Sequence, residues 1–399
     1  MKKMDRPLKI AMVVPGRFHA FDIARELLKQ GHDVRIFTSD RVRVAEAFGL
    51  PRERVRSFAA YGLAARVSVR LGGLGRLAEP ALHRTFGRWA AAAVRGERWD
   101  VLYLFSGIAE EALRAPLRGG ELRAIVRGSA HVRVQSDILE EEERRVGHRI
   151  DRPSPWMIAR EEREYALAEV IFVLSSFARR SFVGLGVPLE KIILQSMGTD
   201  LSCFRQGDPG VAARRARILS GRPLRVLTVG NFSFQKGALD YSSIVRRAGG
   251  RYEFRFVGYV MPETRAVASR TSAHFVPFQK QFALPAQYAW ADVFLFPTLQ
   301  DGYAVVLAQA LAAGLPVLTT TNCSASDIVK EGESGWVLPI RSPEAFLDRL
   351  SRCDADREGL AHIAGGIQSS LAPHDWSVVA REFAASCWNA IDNRQRSAR

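Results

Sequence analysis

Cysteine is scarce in this chain and poorly spaced for chemistry. Its four residues, Cys203, Cys323, Cys353 and Cys387, lie far apart with no CxxC pair and no Cys/His ligand spacing. That excludes a disulfide framework and reads as reduced thiols in a cytosolic protein. His83, His148, His274 and His374 show no ligand spacing either, so no metal site is expected. Long apolar runs are also missing. Nowhere do about 18 apolar residues follow one another, and the first seven residues lead into a strand pattern rather than an apolar signal core. The expectation is a cytoplasmic protein that does not span a membrane. Low-complexity tracts and short repeats are absent as well.

Acidic residues are outnumbered. Lys and Arg total 57 against 42 Asp and Glu, a net charge of +15, which favours anionic partners. The imbalance is sharpest between Arg41 and Arg98, where arginines are interleaved with Leu, Val, Phe and Trp. In Tyr61 to Leu71 and in His83 to Val94 this mixture suits an anionic lipid headgroup surface, on the inner face of the membrane. The same composition also fits solvated arginine faces on ordinary helices. Nucleic acid has only charge in its favour, without an aromatic stacking motif, and is not expected as a partner.

With 399 residues, 47% of them hydrophobic, the chain is too long for one ordinary core and suits two α/β domains. Leu8 to Val14 reads as a buried strand, Pro15-Gly16-Arg17 as a turn, and Phe21, Ile23, Ala24, Leu27 and Leu28 recur at helical spacing. Val34 to Phe37 completes a βαβ unit, and strand patterns follow at Val101 to Phe105, Ala124 to Val126 and Val170 to Leu174. The rhythm restarts with strand Leu224 to Val229, helix Ala238 to Ala248 and strands Phe254 to Val257, Val293 to Phe296 and Pro316 to Thr319. Such alternation implies parallel sheets with helices on both faces, with ligand at the carboxyl ends of the strands. The hinge is placed near Asp200 to Pro223. The expected division is a first domain at 1–203, a second at 204–374, and a C-terminal helix at 375–399 that finishes the second domain or crosses back to the first. The tail beyond Asp392 is polar and expected to fray.

Two segments of the second domain carry chemistry. Strand Val293 to Phe296 opens into Asp301-Gly302-Tyr303-Ala304, runs on through a helical stretch containing Gln309, and closes at Gly314-Leu315-Pro316. A strand, a glycine turn and a helix start present backbone N–H groups and a positive dipole end to a phosphate. Asp301 and Gln309 are separated by about 12 Å of helix rise, a span that suits a ligand with two hydroxyl-rich ends. Val229 to Gly237 repeats the pattern, and there Lys236 adds a point charge suited to a diphosphate. In the first domain, Arg127-Gly128-Ser129-Ala130-His131 follows a strand and belongs at the cleft edge.

The runs Gly230 to Gly237, Phe296 to Pro316 and Ser175 to Asp200 resemble those of the retaining glycosyltransferases of family four, which adopt the GT-B fold of two Rossmann-like domains facing a cleft. The resemblance covers most of the chain. It implies sugar transfer from a nucleotide diphosphate donor to a cell-envelope polysaccharide or glycolipid acceptor, with retention at the anomeric carbon, no metal and no cofactor beyond the co-substrate. By that resemblance Lys236 binds the donor diphosphate, with Gly230 and Asn231 in the same turn; Asn231 stands where the family usually has Arg. Asp301 and Gln309 match the two acids of the family's Glu, seven residues, Glu motif, and both depart from Glu. Gly302, Tyr303 and Ala304 match the backbone that meets sugar and phosphate. His131 matches the histidine close to the transferred sugar, and Gly16 and Arg17 match the loop that approaches phosphate or acceptor. The resemblance also implies reaction on one face of the donor, so Glu140 to Glu143 is expected as a solvated helix face rather than a catalytic cluster. Two alternatives remain open. One is a non-catalytic nucleotide-sugar-binding protein or partner subunit, to which Asn231 and Gln309 point; the other is a GT-B sugar-nucleotide epimerase.

Overall fold

The computed structural model describes residues 6–70, 73–116, 119–370 and 374–397; Leu71, at the end of the first arginine-rich segment, lies outside them. Strands β1 (Lys9–Val14), β2 (Asp33–Thr38), β3 (Val55–Ser57), β4 (Val101–Phe105), β5 (Leu122–Arg127), β6 (Val170–Val173) and β7 (Ile192–Leu194) form one parallel sheet, ordered β3-β2-β1-β4-β5-β6-β7. A second parallel sheet contains β8 (Arg225–Val229), β9 (Glu253–Val257), β10 (His274–Val276), β11 (Val293–Phe296), β12 (Val317–Thr320) and β13 (Gly335–Leu338), ordered β10-β9-β8-β11-β12-β13. Several inner strands are continuous apolar runs. β4 (VLYLF), β6 (VIFV) and β11 (VFLF) are buried at every position, as strands covered by helices on both faces must be.

The four strands that the sequence pattern leaves out are the four sheet edges, β3, β7, β10 and β13. Three of them have only three residues, and each carries partly exposed positions. Short, half-polar edges protect a sheet from pairing with other chains, and the same property removes their apolar signature.

Helix Trp376–Ser397 packs on the first sheet rather than the second. Its Val379, Ala380, Phe383, Cys387 and Trp388 are buried in the first domain's core cluster, with the Phe383 ring edge-on to Tyr103 at 5.0 Å. Burying a side chain such as Phe383 is worth about 1.5–3 kcal/mol. The segment expected to fray is helical to Ser397, and Arg394 anchors it by donating to the Glu121 carbonyl and pairing with Glu169 at 3.0 Å.

The Glu140 to Glu143 helix corrects a second expectation. Glu142 is wholly buried, receiving Arg145 at 2.7 Å and Arg341, from the second domain, at 3.4 Å. Arg145 reaches across to Asp240 at 2.8 Å, and Arg341 also donates to Glu141 and to the Ile138 carbonyl. Burial raises the Glu142 carboxyl above its ordinary range. Phe234 inserts beside Leu139 and Ile150 in a small apolar cluster spanning the domains. Glu142 is therefore a docking residue and not a solvated one, because two arginines neutralise it as it leaves water, while Glu140 and Glu141 remain exposed as expected.

Candidate functional site

Both candidate motifs of the second domain sit at the carboxyl ends of their strands and are stitched together by backbone. Gly237, at φ +77, presses against the Pro297 carbonyl where a Cβ would not fit. The Leu299 amide donates to the Gln235 carbonyl at 3.0 Å, and the Thr298 hydroxyl does so at 3.3 Å. These contacts carry Lys236 to Asp301: Nζ and Oδ2 are 2.6 Å apart, with both side chains about four-fifths buried. Gly230 adopts φ +146, and its carbonyl lies against Gly258. Asn231 is exposed next to it.

Past Asp301 the chain runs against the first domain. Gly302 meets the Gly128 carbonyl so closely that no side chain fits there, and Tyr303 packs on the first domain's core. Burial pushes the Tyr303 phenol up to about 12. The Ala304 amide donates to Ser324 Oγ at 3.1 Å, while the Gly302 and Tyr303 amides make no hydrogen bond among the described residues. Helix Val305–Ala312 follows, and within it Gln309 is buried, its Oε1 accepting from the Tyr288 hydroxyl at 2.9 Å.

A cleft of about 680 Å³ separates the domains, within the range of small-molecule sites. Tyr303, Val305 and Gln309 line it from the second domain; Arg17, His19, Gly128 and Ser129 line it from the first. At the exit of β1, Gly16 adopts φ +129 and its carbonyl accepts from Thr38 Oγ1 at 2.9 Å. That bend sends the Arg17 guanidinium over the Phe48 ring at 4.3 Å. His19 lies 3.2 Å from the Tyr103 hydroxyl, and burial lowers its imidazole to about 4. The Arg127 to His131 loop, expected at the cleft edge, brings two more residues to this junction. Ser129 Oγ donates to Gln300 Oε1 at 2.6 Å across the cleft, and Arg127 ends β5 at the cleft wall. The residues that the sequence pattern misses here are His19 and Gln300, the latter marked only by adjacency to Asp301.

His131 stands apart from that lining. It caps helix Val132–Val146, its Nδ1 accepting from the Arg133 amide at 3.2 Å, while its own amide donates to Ser181 Oγ at 2.8 Å. The Tyr165 and Phe182 rings pack on it at 4.8 and 4.9 Å. Burial holds it down at about 4, so it is neutral at pH 7 with its ring proton on Nε2. Gly128 and Ser129 of the same loop reach the cleft; the imidazole is held behind them.

Residues 17–202 match the Glycosyltransferase Family 4 domain, and residues 223–356 match the domain described as Glycosyl transferases group 1. The chain belongs to the family 4, group 1 glycosyltransferases. Among curated relatives of this glycosyltransferase, the amylovoran biosynthesis glycosyltransferase AmsK of Erwinia amylovora is 28% identical over 49% of this chain and 50% of its own. A GDP-mannose-dependent α-(1-6)-phosphatidylinositol monomannoside mannosyltransferase of Mycobacterium tuberculosis is 28% identical over 54% of this chain and 60% of its own. The chain thus spans about half the length of the curated relatives it matches. Anabaena Alr3699/HepE, solved with UDP and glucose, superposes over 95% of this glycosyltransferase and 99% of its own chain, with a TM-score of 0.65 at 15% identity. WaaG, a glycosyltransferase involved in lipopolysaccharide biosynthesis, does so over 95% and 99% at 0.62, also with 15% identity. At these identities the likeness establishes the GT-B architecture.

Proposed function

We propose that this glycosyltransferase moves a sugar, with retention and without a metal, from a nucleotide diphosphate donor to a cell-envelope polysaccharide or glycolipid acceptor. The Lys236–Asp301 pair, 2.6 Å apart, with Asp301 two residues before the cleft-lining Tyr303, carries the reading. Lys236 exchanges its Asp301 partner for a diphosphate oxygen, and Asp301, so released, accepts from hydroxyls of the donor sugar. The unpaired Gly302 and Tyr303 amides face the same charge as it develops on the leaving phosphate. Gln309, already bonded to Tyr288, keeps its Nε2 donor for a ribose hydroxyl. On the one-faced reaction, the departing phosphate takes the acceptor proton and the protein contributes orientation and charge stabilisation. AmsK and HepE, by their names and bound ligands, support polysaccharide acceptors and nucleotide donors for relatives of this fold. A thermal-shift screen with UDP, GDP, TDP and ADP tests the donor site. Millimolar ligand over a micromolar dissociation constant adds about 4 kcal/mol, and no shift with any of the four would refute it.

The acceptor side of this reading extends to an anionic membrane surface. Leu63 and Val67, one helical turn apart on helix Ala59–Arg70, are 59% and 47% exposed. Leu77, on helix Gly73–Val94, is 80% exposed, on the helix face that also carries exposed Arg84 and Arg88. Apolar tips among arginines suit a headgroup layer. None of the described helices is long and apolar enough to cross a membrane. Pelleting with phosphatidylglycerol vesicles should occur at low salt and vanish at high salt; no pelleting at low salt would reject the membrane role.

A further inference from the structure

The domains are closed over the donor loops in this structure. Gly302 lies on Gly128, and Ser129 bonds to Gln300 across the gap. Lys236 and Asp301 are each about four-fifths buried, and neither is among the residues that line the main cleft. A diphosphate reaches the lysine only when the first-domain wall moves off it, so whatever holds that wall decides when the site is open.

Helix Val132–Val146 supplies a hold on both sides of the lysine turn. Phe234, two residues before Lys236, inserts beside Leu139 and Ile150, with the His148 ring edge-on at 5.7 Å. Asp240, four residues after Lys236, receives Arg145 of that helix at 2.8 Å. Arg341 adds a third point, reaching Glu141, Glu142 and the Ile138 carbonyl from the second domain. Because Gly237 is pinned on the Pro297 carbonyl, the lysine turn moves with its own domain as one piece. Letting go of the helix therefore releases the whole wall.

The chemistry of this seam favours reversal over permanence. Each domain brings one arginine and one buried acid: Arg145 and Glu142 from the first, Arg341 and Asp240 from the second. Arg145 already holds Glu142 at 2.7 Å within the helix, so separation leaves that acid paired. Glu142 Oε1 and Asp240 Oδ2 have no hydrogen bond among the described residues, and parting the domains returns both to water. The apolar share is small, confined to Leu139, Ile150 and Phe234, whereas domains that stay together share a large hydrophobic interface. Arg341 is itself held in the left-handed region at φ +55, which a side chain rarely adopts.

We propose that this seam is a latch: the cluster of Glu142, Arg145, Asp240 and Arg341, with Phe234 as its bolt, holds the cleft shut over Lys236 and parts to let nucleotide in and out. The opening is a property of this interface; only its use in nucleotide exchange rests on the glycosyltransferase reading.

Small-angle X-ray scattering of the full chain tests the opening, and stopped-flow tryptophan fluorescence tests the exchange of UDP or GDP, since Trp376 lines the cleft. Arg341→Gly removes the guanidinium at a φ that glycine adopts freely, and Arg145→Gln keeps a good helix former, so both variants should fold. Without nucleotide, each should raise the radius of gyration by about 5% over that of the wild type. Each should also release nucleotide about fivefold faster. Arg114→Ala, which breaks an exposed pair with Glu110 inside one first-domain helix, should change neither. In the unaltered protein, amide exchange across residues 234–241 should slow when nucleotide binds. The latch is overturned if both variants keep the wild-type radius of gyration, if they open yet release nucleotide at the wild-type rate, or if that exchange is the same with nucleotide bound. Should none of UDP, GDP, TDP and ADP bind the unaltered protein, the glycosyltransferase reading falls instead, and the scattering comparison still decides the latch.

Discussion

In the two candidate loops of the second domain, backbone does the positioning. Gly237 lies on the Pro297 carbonyl, Gly302 lies on Gly128, and Leu299 is tied to Gln235, so Lys236 and Asp301 meet through loops with little freedom to move. On the first-domain wall, side chains do the work: Arg17 lies over Phe48, His19 meets Tyr103 and Arg127 pairs with Glu161, with His131 packed behind them between Tyr165 and Phe182. A wall made by backbone amides and one lysine suits a ligand part common to many donors, the diphosphate. A wall made by side chains can be rebuilt for a different acceptor without disturbing the other.

The first way to break that contrast is Gly237→Ala. At φ +77, with a Cβ directed into the Pro297 carbonyl, the variant should lose about 3 kcal/mol of stability and all nucleotide-dependent shift. Chemical denaturation with and without UDP or GDP measures both. An unchanged midpoint would mean that backbone contact does not hold the wall together.

His131→Asn probes the packing behind the other wall through pH. Because burial depresses the folded imidazole from 6.5 to about 4, the unfolded chain takes up the proton first on acidification. The stability contributed is therefore intact above pH 6.5 and lost as pH falls toward 4, on the order of 3 kcal/mol. The asparagine keeps a capping oxygen, so the variant's melting temperature should fall less steeply than the wild type's over that window. Parallel curves would place the imidazole in water. On the same reading, its nucleotide-dependent shift should match the wild type's.

The smallest effect sharpens the comparison rather than breaking it. Asn231→Arg, at an exposed position beside Gly230, should tighten nucleoside diphosphate binding by about 1 kcal/mol through a second cation on the diphosphate. Isothermal titration would show no change if that turn points away from the phosphates.

What the chain reveals of itself follows the same division. The inner strands were legible because burial makes each wholly or mostly apolar, as in β4 and β11, with only scattered charges, as in β2 and β9. The edge strands were not, since their half-exposed residues look like loop. Lys236 and Asp301 were legible as separate motifs because glycines and a strand-turn-helix order mark each of them. Their contact at 2.6 Å was not, since it depends on two loops packing across β8 and β11. The Ser129–Gln300 bridge and the buried Glu142 network are contacts between domains, and composition treats such residues as ordinary polar surface.

On the proposed function, Lys236, held at Asp301, binds the diphosphate of a nucleotide donor. Its most direct test compares the melting temperature of the wild type and Lys236→Ala with and without millimolar UDP, GDP, TDP and ADP. At least one nucleotide should raise the melting temperature of the wild type clearly, and none should raise that of the variant. A variant that folds and is stabilised by the same nucleotide to the same extent would contradict it.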